Sequence, residues 1–511
     1  MSITKFLRAI VVIKILLLSH LVVAQSYSYD DIQKIRNEAF GNSSIRELAV
    51  QLTDAVGPRL SGGKGLHNAC TWAKETLEGY NLYNTKLEPW GNFGKGWEME
   101  KFYIAMKQPY YQPLIAVPQA WTGGTSGLQI ADVVLVDANT EEMLLTYSGK
   151  LQGKVVITPF EKELEVSFEP LASRFTDEEI DKFGKSPEFR ADPDPYMLER
   201  KRKSQAYGVS RQQLKDFCEA EGALAIIENS GSFGTVRSYG DRNGRFLDEL
   251  GILTIDMTHE HYARMVRLID RGIDVSLELD VKNRLIDDYS EGVNVIAEIP
   301  GVHKKLKDEV VMIGAHIDSW HAGTGGNDNA SGVILMMEVM RILKQSGVKL
   351  DRTVRIALWT GEEQGLLGSK GWVEKHVYNF DTNEKGPEYD KISAYYNFDY
   401  GTGRIKGIFL HDNLALKPIF QDFFEPLDDL GVSLISNRNP GGSDHVMFNR
   451  IGIPGFAFIQ DRIDYGRGYH TNMDTFERIQ LGDLKQAAAV VATLVYQTAN
   501  FPTKLPRKQL P

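Results

Sequence analysis

The chain has 511 residues, a formal charge of −10, 42% apolar residues and 25% charged residues. That length exceeds one simple core and predicts two or three ordinary globular domains. The acidic balance argues against nucleic acid or an anionic membrane as partner, and two cysteines, Cys70 and Cys218, exclude a disulfide framework and a thiolate metal cage.

Residues 1–24 read as an export signal. Lys5 and Arg8 make a basic start, an apolar run broken by Lys14 follows, and Val22-Val23-Ala24 leads to a cut at Ala24–Gln25. Its removal takes Lys5, Arg8 and Lys14 and lowers the charge from −10 to about −13. The expected product is an exported, secreted or periplasmic protein with no membrane attachment once the signal is gone. Residues 25–106 open with helical patterns over 44–55 and 66–77, separated by the turn-rich Gly57-Pro58-Arg59-Leu60-Ser61-Gly62-Gly63. Cys70 and Cys218 each fall in a predicted helix, 68–76 and 211–220, as packing residues.

Residues 107–288 change character. Short β-like runs at 132–136, 154–158, 251–255 and 275–279 are interrupted by a charge-dense, proline-bearing excursion over 161–204. No cluster of chemistry-bearing residues stands out, and the segment reads as an inserted domain. Residues 289–511 alternate strand and helix, with strands at 294–298, 310–315, 353–359, 394–398, 407–410 and 455–459 and an apolar closing helix at 481–498. This predicts an α/β fold with a mixed, largely parallel sheet sandwiched by helices, interrupted by a mainly-β insertion.

Ligand sites in such sheets form at the carboxyl ends of strands. The 310–315 strand runs into His316 and Asp318, then a Gly-rich turn containing Asp328. The 353–359 strand ends at Glu362-Glu363, the 394–398 strand at Asp399, and the 455–459 strand leads to Tyr469-His470. Each residue alone reads more simply as a cap or turn residue. Together they would bury several carboxylates at one edge, which is costly unless cations compensate. Two divalent ions against Asp328, Glu363 and Asp399, with His316 and His470 completing the shell, satisfy that requirement. Nitrogen and oxygen donors without thiolate suit zinc (Zn2+), with manganese or cobalt as substitutes. Glu362 and Glu363 point opposite ways on an extended segment, so one can ligate while the other serves as general base. Asp318 can accept the second imidazole N–H of His316.

The order H-x-D, G-G-N-D-N-A-S-G, G-E-E-x-G-L-L-G-S, N-F-D and Y-H-T-x-x-D-T resembles the dizinc exopeptidase family. That family includes secreted leucyl-type aminopeptidases and plasma glutamate carboxypeptidase. The likeness covers about 294–500, less sharply 45–97, where G-P-R-L-S-G also fits, and 107–285 resembles a protease-associated domain. It implies Asp328 as the bridge, Asp399 with His316 on one ion, Glu363 with His470 on the other, Glu362 as general base and Asp318 as orienting acid. It also implies a cis peptide at Asp328–Asn329. Those aminopeptidases place a Tyr before a Ser-Asp segment; here the segment is Asn439-Pro440-Gly441-Gly442-Ser443-Asp444-His445. Oxyanion support is then expected from a metal plus His445, or from Tyr465 or Tyr469; Tyr469 is expected to contact substrate, and Ser443 and His445 read equally as substrate contacts or as structural loop residues. The expected function is an aminopeptidase acting on peptides, because no Arg cluster stands out near the cavity. A carboxypeptidase or dipeptidase, a glutaminyl-cyclase-like transferase and a receptor-like binding protein are the alternatives.

Overall fold

The structure, a computed structural model, describes residues 27–160, 164–166, 168, 170–185 and 209–509. The export-signal expectation over 1–24 lies outside these residues. Among them no helix is long and apolar enough to cross a membrane.

Why the 310–316 run is continuously apolar becomes clear from its surroundings. Val311, Ile313 and Ala315 face a core shared with helices Ser331–Gln345 and Leu481–Ala499, while Val310 and Met312 face a second core with Trp359, Trp372 and Phe448. A strand covered on both faces cannot alternate apolar with polar. It lies within an eight-stranded sheet ordered Tyr83–Asn92, Glu291–Ile299, Thr353–Trp359, Val310–His316, Ile392–Asn397, Gly455–Gln460, Ile405–Phe409 and Leu434–Ser436. The four central strands are mutually parallel, with antiparallel pairings on either side. Register aligns their ends: His316 pairs with Trp359, and Gly314 with Asn397. Residues just beyond these pairs therefore emerge at one edge. Helix Ser331–Gln345 is buried from Ser331 to Leu343, because the sheet, the N-terminal helices and the closing helix surround it.

A second eight-stranded sheet is built from residues 96–286. Its first strand, Gly96–Gln108, starts ahead of the expected boundary at Lys107, because it pairs along its length with Ser276–Ile286. Its centre is four parallel strands, Gln129–Leu135, Val155–Ile157, Ala225–Asn229 and Leu253–Met257. Helices Arg211–Ala220 and His259–Ile269 accompany them, so this region carries α/β structure beside its strands. Cys70 and Cys218 are buried free thiols in different helices.

Candidate metal centre

The strand ends converge as the register requires. His316 Nε2 lies 3.2 Å from Asp328 Oδ1 and 3.6 Å from Asp399 Oδ1. His470 Nε2 lies 3.0 Å from Asp328 Oδ2 and 3.0 Å from Glu363 Oε2. Asp328 thus turns one carboxylate oxygen toward each imidazole. The donors form two groups sharing Asp328, His316–Asp328–Asp399 and Asp328–Glu363–His470, each with its ligand atoms within 4.8 Å of one another. All five residues are buried. The Asp328–Asn329 peptide is cis, as the resemblance implied.

The donor set fits a cation. Despite its short approach to His470, Asp328 Oδ2 has no hydrogen-bond partner, and neither does Glu363 Oε1. Buried, unsatisfied carboxylate oxygens are expensive unless positive charge faces them. The two imidazoles are pushed toward carrying that charge. Burial opposes charging of His470, yet Glu363 and Asp328 push its imidazole up to about 9. His316 is likewise raised well above its ordinary range, by Glu362, Asp399 and Asp328 acting against burial. Asp328 itself is held below the carboxylate range because both imidazoles outweigh its burial.

Glu362 and Glu363 separate as their alternating directions suggest. Gly361, at φ +70°, turns the chain after the Thr353–Trp359 strand. Glu363 enters the donor groups; Glu362 does not, and among the described residues its carboxylate has no hydrogen-bond partner. Burial pushes the Glu362 carboxyl well above its usual range, with Glu363, Asp399 and Asp444 adding to it against His316.

Asp318 meets His316 through two of its groups. His316 Nδ1 is 3.1 Å from the Asp318 main-chain carbonyl and 3.7 Å from its carboxylate. The chain bends after the strand and brings the carbonyl over the ring, fixing the tautomer that leaves Nε2 free. The carboxylate also accepts the N–H groups of Glu362 and Glu363, at 3.2 Å each, and the Ser61 hydroxyl at 3.0 Å. It holds the turn carrying both glutamates.

Ser443 and His445 are fully buried. Ser443 Oγ accepts from Asn397 Nδ2 at 2.7 Å, and His445 Nε2 lies 2.9 Å from the Pro440 carbonyl. The first bond ties the 439–445 loop to the sheet and the second closes the loop on itself, a loop-holding arrangement. Tyr469 is half-buried and stacks on His470 with ring centroids 3.6 Å apart; Tyr465 packs on Tyr469 at 5.3 Å.

Four participants escaped the sequence reading. Arg59, fully buried in the Gly57–Ser61 turn, has its guanidinium pulled down to about 10 by burial, against Asp474 and Asp318. Asp474, the acid of Y-H-T-x-x-D-T, accepts the N–H groups of Asn327 and Asp328. Asp444 is fully buried, and burial raises its carboxyl to about 7. The fourth is the 236–242 segment of the second sheet's region. Ser238 N–H donates to the His470 carbonyl at 3.2 Å, the Tyr239 ring meets His470 edge-on at 5.1 Å, and Arg237 donates to the carbonyls of Tyr469 and Gly466. Arg242 Nη2 donates to the Glu363 carbonyl at 2.7 Å. Arg59 lies in G-P-R-L-S-G, Asp474 in Y-H-T-x-x-D-T and Asp444 between Ser443 and His445, so each stood in a segment already singled out; nothing local pointed to the 236–242 segment.

Paired nitrogen and oxygen donor groups at the carboxyl edge of a parallel sheet, with a free carboxylate beside them, define a metal-dependent hydrolase. Residues 294–495 match the family model described as Peptidase family M28. Carboxypeptidase Q from Pongo abelii is 26% identical, covering 94% of this chain and 91% of its own; that from Rattus norvegicus is 27% identical over the same shares. A Peptidase M28 precursor from Shewanella amazonensis SB2B superposes with a TM-score of 0.65 at 25% identity, covering 94% of this chain and 98% of its own. A zinc aminopeptidase from Bacillus subtilis shares the fold, with a TM-score of 0.55 at 20% identity over 88% and 93% of the two chains. The likeness to peptidase family M28 thus lies over residues 294–495, and the chain is a zinc exopeptidase, a hydrolase of peptide bonds.

Proposed function

We propose that this exopeptidase works with two zinc ions, one held by His316, Asp328 and Asp399, the other by Asp328, Glu363 and His470. The supporting observation is the Asp328 carboxylate, which directs one oxygen to each imidazole, at 3.2 and 3.0 Å. Bound there, the zinc pair supplies Lewis acidity toward the scissile carbonyl and makes water more acidic. Glu362 takes the proton of the attacking water and returns it to the leaving amine. Asp318 keeps Glu362 in place through its N–H and, by way of the adjacent N–H, keeps Glu363 facing the donor group. Tyr469, stacked on His470, walls the substrate side, while Ser443 and His445 hold the loop beneath. We read residues 1–24 as an export signal on the strength of the basic start and apolar run, and residues 96–286 as an inserted domain with its own sheet.

Which end of the peptide is trimmed turns on the charge at the cavity rim. The aminopeptidase expectation rested on the lack of an Arg cluster, and Arg237 and Arg242 now stand beside His470 and Glu363. A guanidinium suits capture of a terminal carboxylate. The relatives covered over nine-tenths of their length are named Carboxypeptidase Q. Both favour a carboxypeptidase or dipeptidase, with the aminopeptidase as the alternative. A panel of peptides with free, N-blocked and C-amidated ends decides: loss of turnover on amidation supports the carboxylate reading, and loss on N-blocking alone supports the amine reading. Metal analysis of Asp328→Asn tests the zinc pair, since losing a bridge weakens both sites; loss of one ion alone refutes the bridge.

A further inference from the structure

The connection from His316 to Asp328 must hold its shape for the donor groups to exist, and it contains no regular structure of its own before the Gly326–Ala330 turn. Arg59 grips it from one side. Its Nε donates to the Ile317 carbonyl at 2.7 Å, Nη1 to the Thr324 carbonyl at 2.6 Å, and Nη2 to the Gly325 carbonyl at 2.9 Å. Its own N–H donates to Ser319 Oγ at 3.1 Å, and its carbonyl accepts the Ser319 N–H at 3.2 Å. The fit is close: Gly325 has φ +59°, and a Cβ there would sit 2.4 Å from Ser319 Cβ and 2.7 Å from Arg59 Nη2. Asp474 grips the other side. Its carboxylate accepts the N–H groups of Asn327 and Asp328, the latter at 3.1 Å, and its carbonyl accepts the Thr324 N–H at 2.8 Å. A guanidinium thus holds the carbonyls of this connection, and the oxygens of one carboxyl group hold its N–H groups.

We propose that Arg59 and Asp474 form a clamp that presets Asp328 between the two donor groups, so that the pair governs zinc affinity without touching substrate. The proposal rests on the two-zinc reading above. Both are positioning residues. A zinc ion leaves when its concentration falls, but the Arg59 charge stays, and it faces Asp474, Asp318, Asp328 and Glu363 in the buried centre. The clamp therefore keeps the emptied site in shape for rebinding. Arg59→Lys tests it sharply, because an ammonium keeps the charge but lacks the planar fork that reaches three carbonyls of the connection at once.

The measurement is zinc affinity by chelator competition, with urea unfolding of the zinc-free protein alongside. Supporting partners of metal ligands typically govern 10–100-fold in affinity, so Arg59→Lys is expected to bind zinc about 10–100-fold more weakly. Its kcat/KM should recover in excess zinc with KM near wild type. Asp474→Asn keeps the side-chain shape and should shift affinity in the same direction, and the two losses should fall short of additive in the double variant because both act on one connection. If Arg59→Lys fails to fold, Asp474→Asn carries the test. Zinc affinity within about twofold of wild type in whichever variants fold overturns the clamp, even where the urea midpoint falls, since that outcome is a purely structural role. Activity that excess zinc does not restore also overturns it. A wild type that binds fewer than two zinc ions refutes the two-zinc reading instead, so the two failures are distinguishable.

Discussion

Two neighbouring glutamates should give opposite signatures when each is replaced by its amide. Glu362→Gln preserves volume and the backbone N–H that Asp318 accepts at 3.2 Å, but the amide cannot take a proton. The Glu362 carboxylate belongs to neither donor group, so zinc content should stay at the wild-type level. Its carboxyl is pushed well above the usual range by burial together with Glu363, Asp399 and Asp444, despite His316, which brings it toward the pH where a general base works best. General-base catalysis contributes about 10²–10⁴-fold, or roughly 3–5 kcal/mol of barrier at 1.36 kcal/mol per tenfold. A collapse in kcat of that size, with KM little changed, is expected in steady-state assays on a free dipeptide. Glu363→Gln removes an anionic donor 3.0 Å from His470 Nε2. It should lose zinc first and regain part of its activity when zinc is added back. Loss of zinc from Glu362→Gln with retention in Glu363→Gln would mean the roles are exchanged. Full activity in both would refute the catalytic reading of this edge of the sheet.

Three further outcomes follow from the same geometry. His470, raised from 6.5 to about 9 in the zinc-free centre because Glu363 and Asp328 outweigh its burial, must release a proton before it can ligate. Apparent zinc affinity should climb with pH between 6.5 and 9, while the stability this imidazole lends the zinc-free protein is full below 6.5 and lost as pH rises through 9; a flat affinity profile across that window refutes it. Glu88 on the Tyr83–Asn92 strand has its carboxyl brought down from 4.5 to about 2, because His376, Lys86 and Trp372 outweigh its burial. Its contribution, about 3 kcal/mol at 1.36 kcal/mol per unit, is present above pH 4.5 and lost as pH falls toward 2; Glu88→Gln should flatten the acid limb of chemical denaturation, and an unchanged limb refutes the assignment. Arg242→Ala should raise KM for peptides with a free carboxylate by about 10–100-fold, the range for a hydrogen bond to a charged group, and leave C-amidated peptides unaffected; equal effects on both would remove Arg242 from substrate recognition.

What could be read in advance follows from how each residue is held. His316, Glu363 and Asp399 were legible because a parallel strand buried on both faces writes a continuous apolar run, and the first polar residues after it must lie at the sheet's edge. Several such runs in one domain place their ends together, and the observed pairing of His316 with Trp359 and Gly314 with Asn397 is that alignment. Arg59 stood in the G-P-R-L-S-G motif, but its role was not legible: its partners are main-chain carbonyls of Gly57, Ile317, Thr324 and Gly325, and a carbonyl carries no residue identity for a motif to display. Asp318 was assigned to the right neighbour, and what the motif did not show is that its carbonyl also reaches His316 and that its carboxylate accepts the N–H groups of Glu362 and Glu363. Asp444 was passed over beside Ser443 and His445, since polarity marks a loop residue as a candidate while saying nothing about whether the loop turns it inward.

Arg242 lay in a region read as free of chemistry, and nothing local links it to Glu363, 121 residues away. The residues that would bear zinc or take a proton are set by strand ends and are visible in sequence. Of those that hold the ligands in place, Asp318 and Asp474 come from the same domain, while Arg59 reaches the edge from the N-terminal turn and Arg242 from the second sheet's region, through backbone contacts. Family motifs concentrated in 294–495 carry the donor groups together with Asp318 and Asp474, while Arg59 and Arg242 reach the same edge from outside that span.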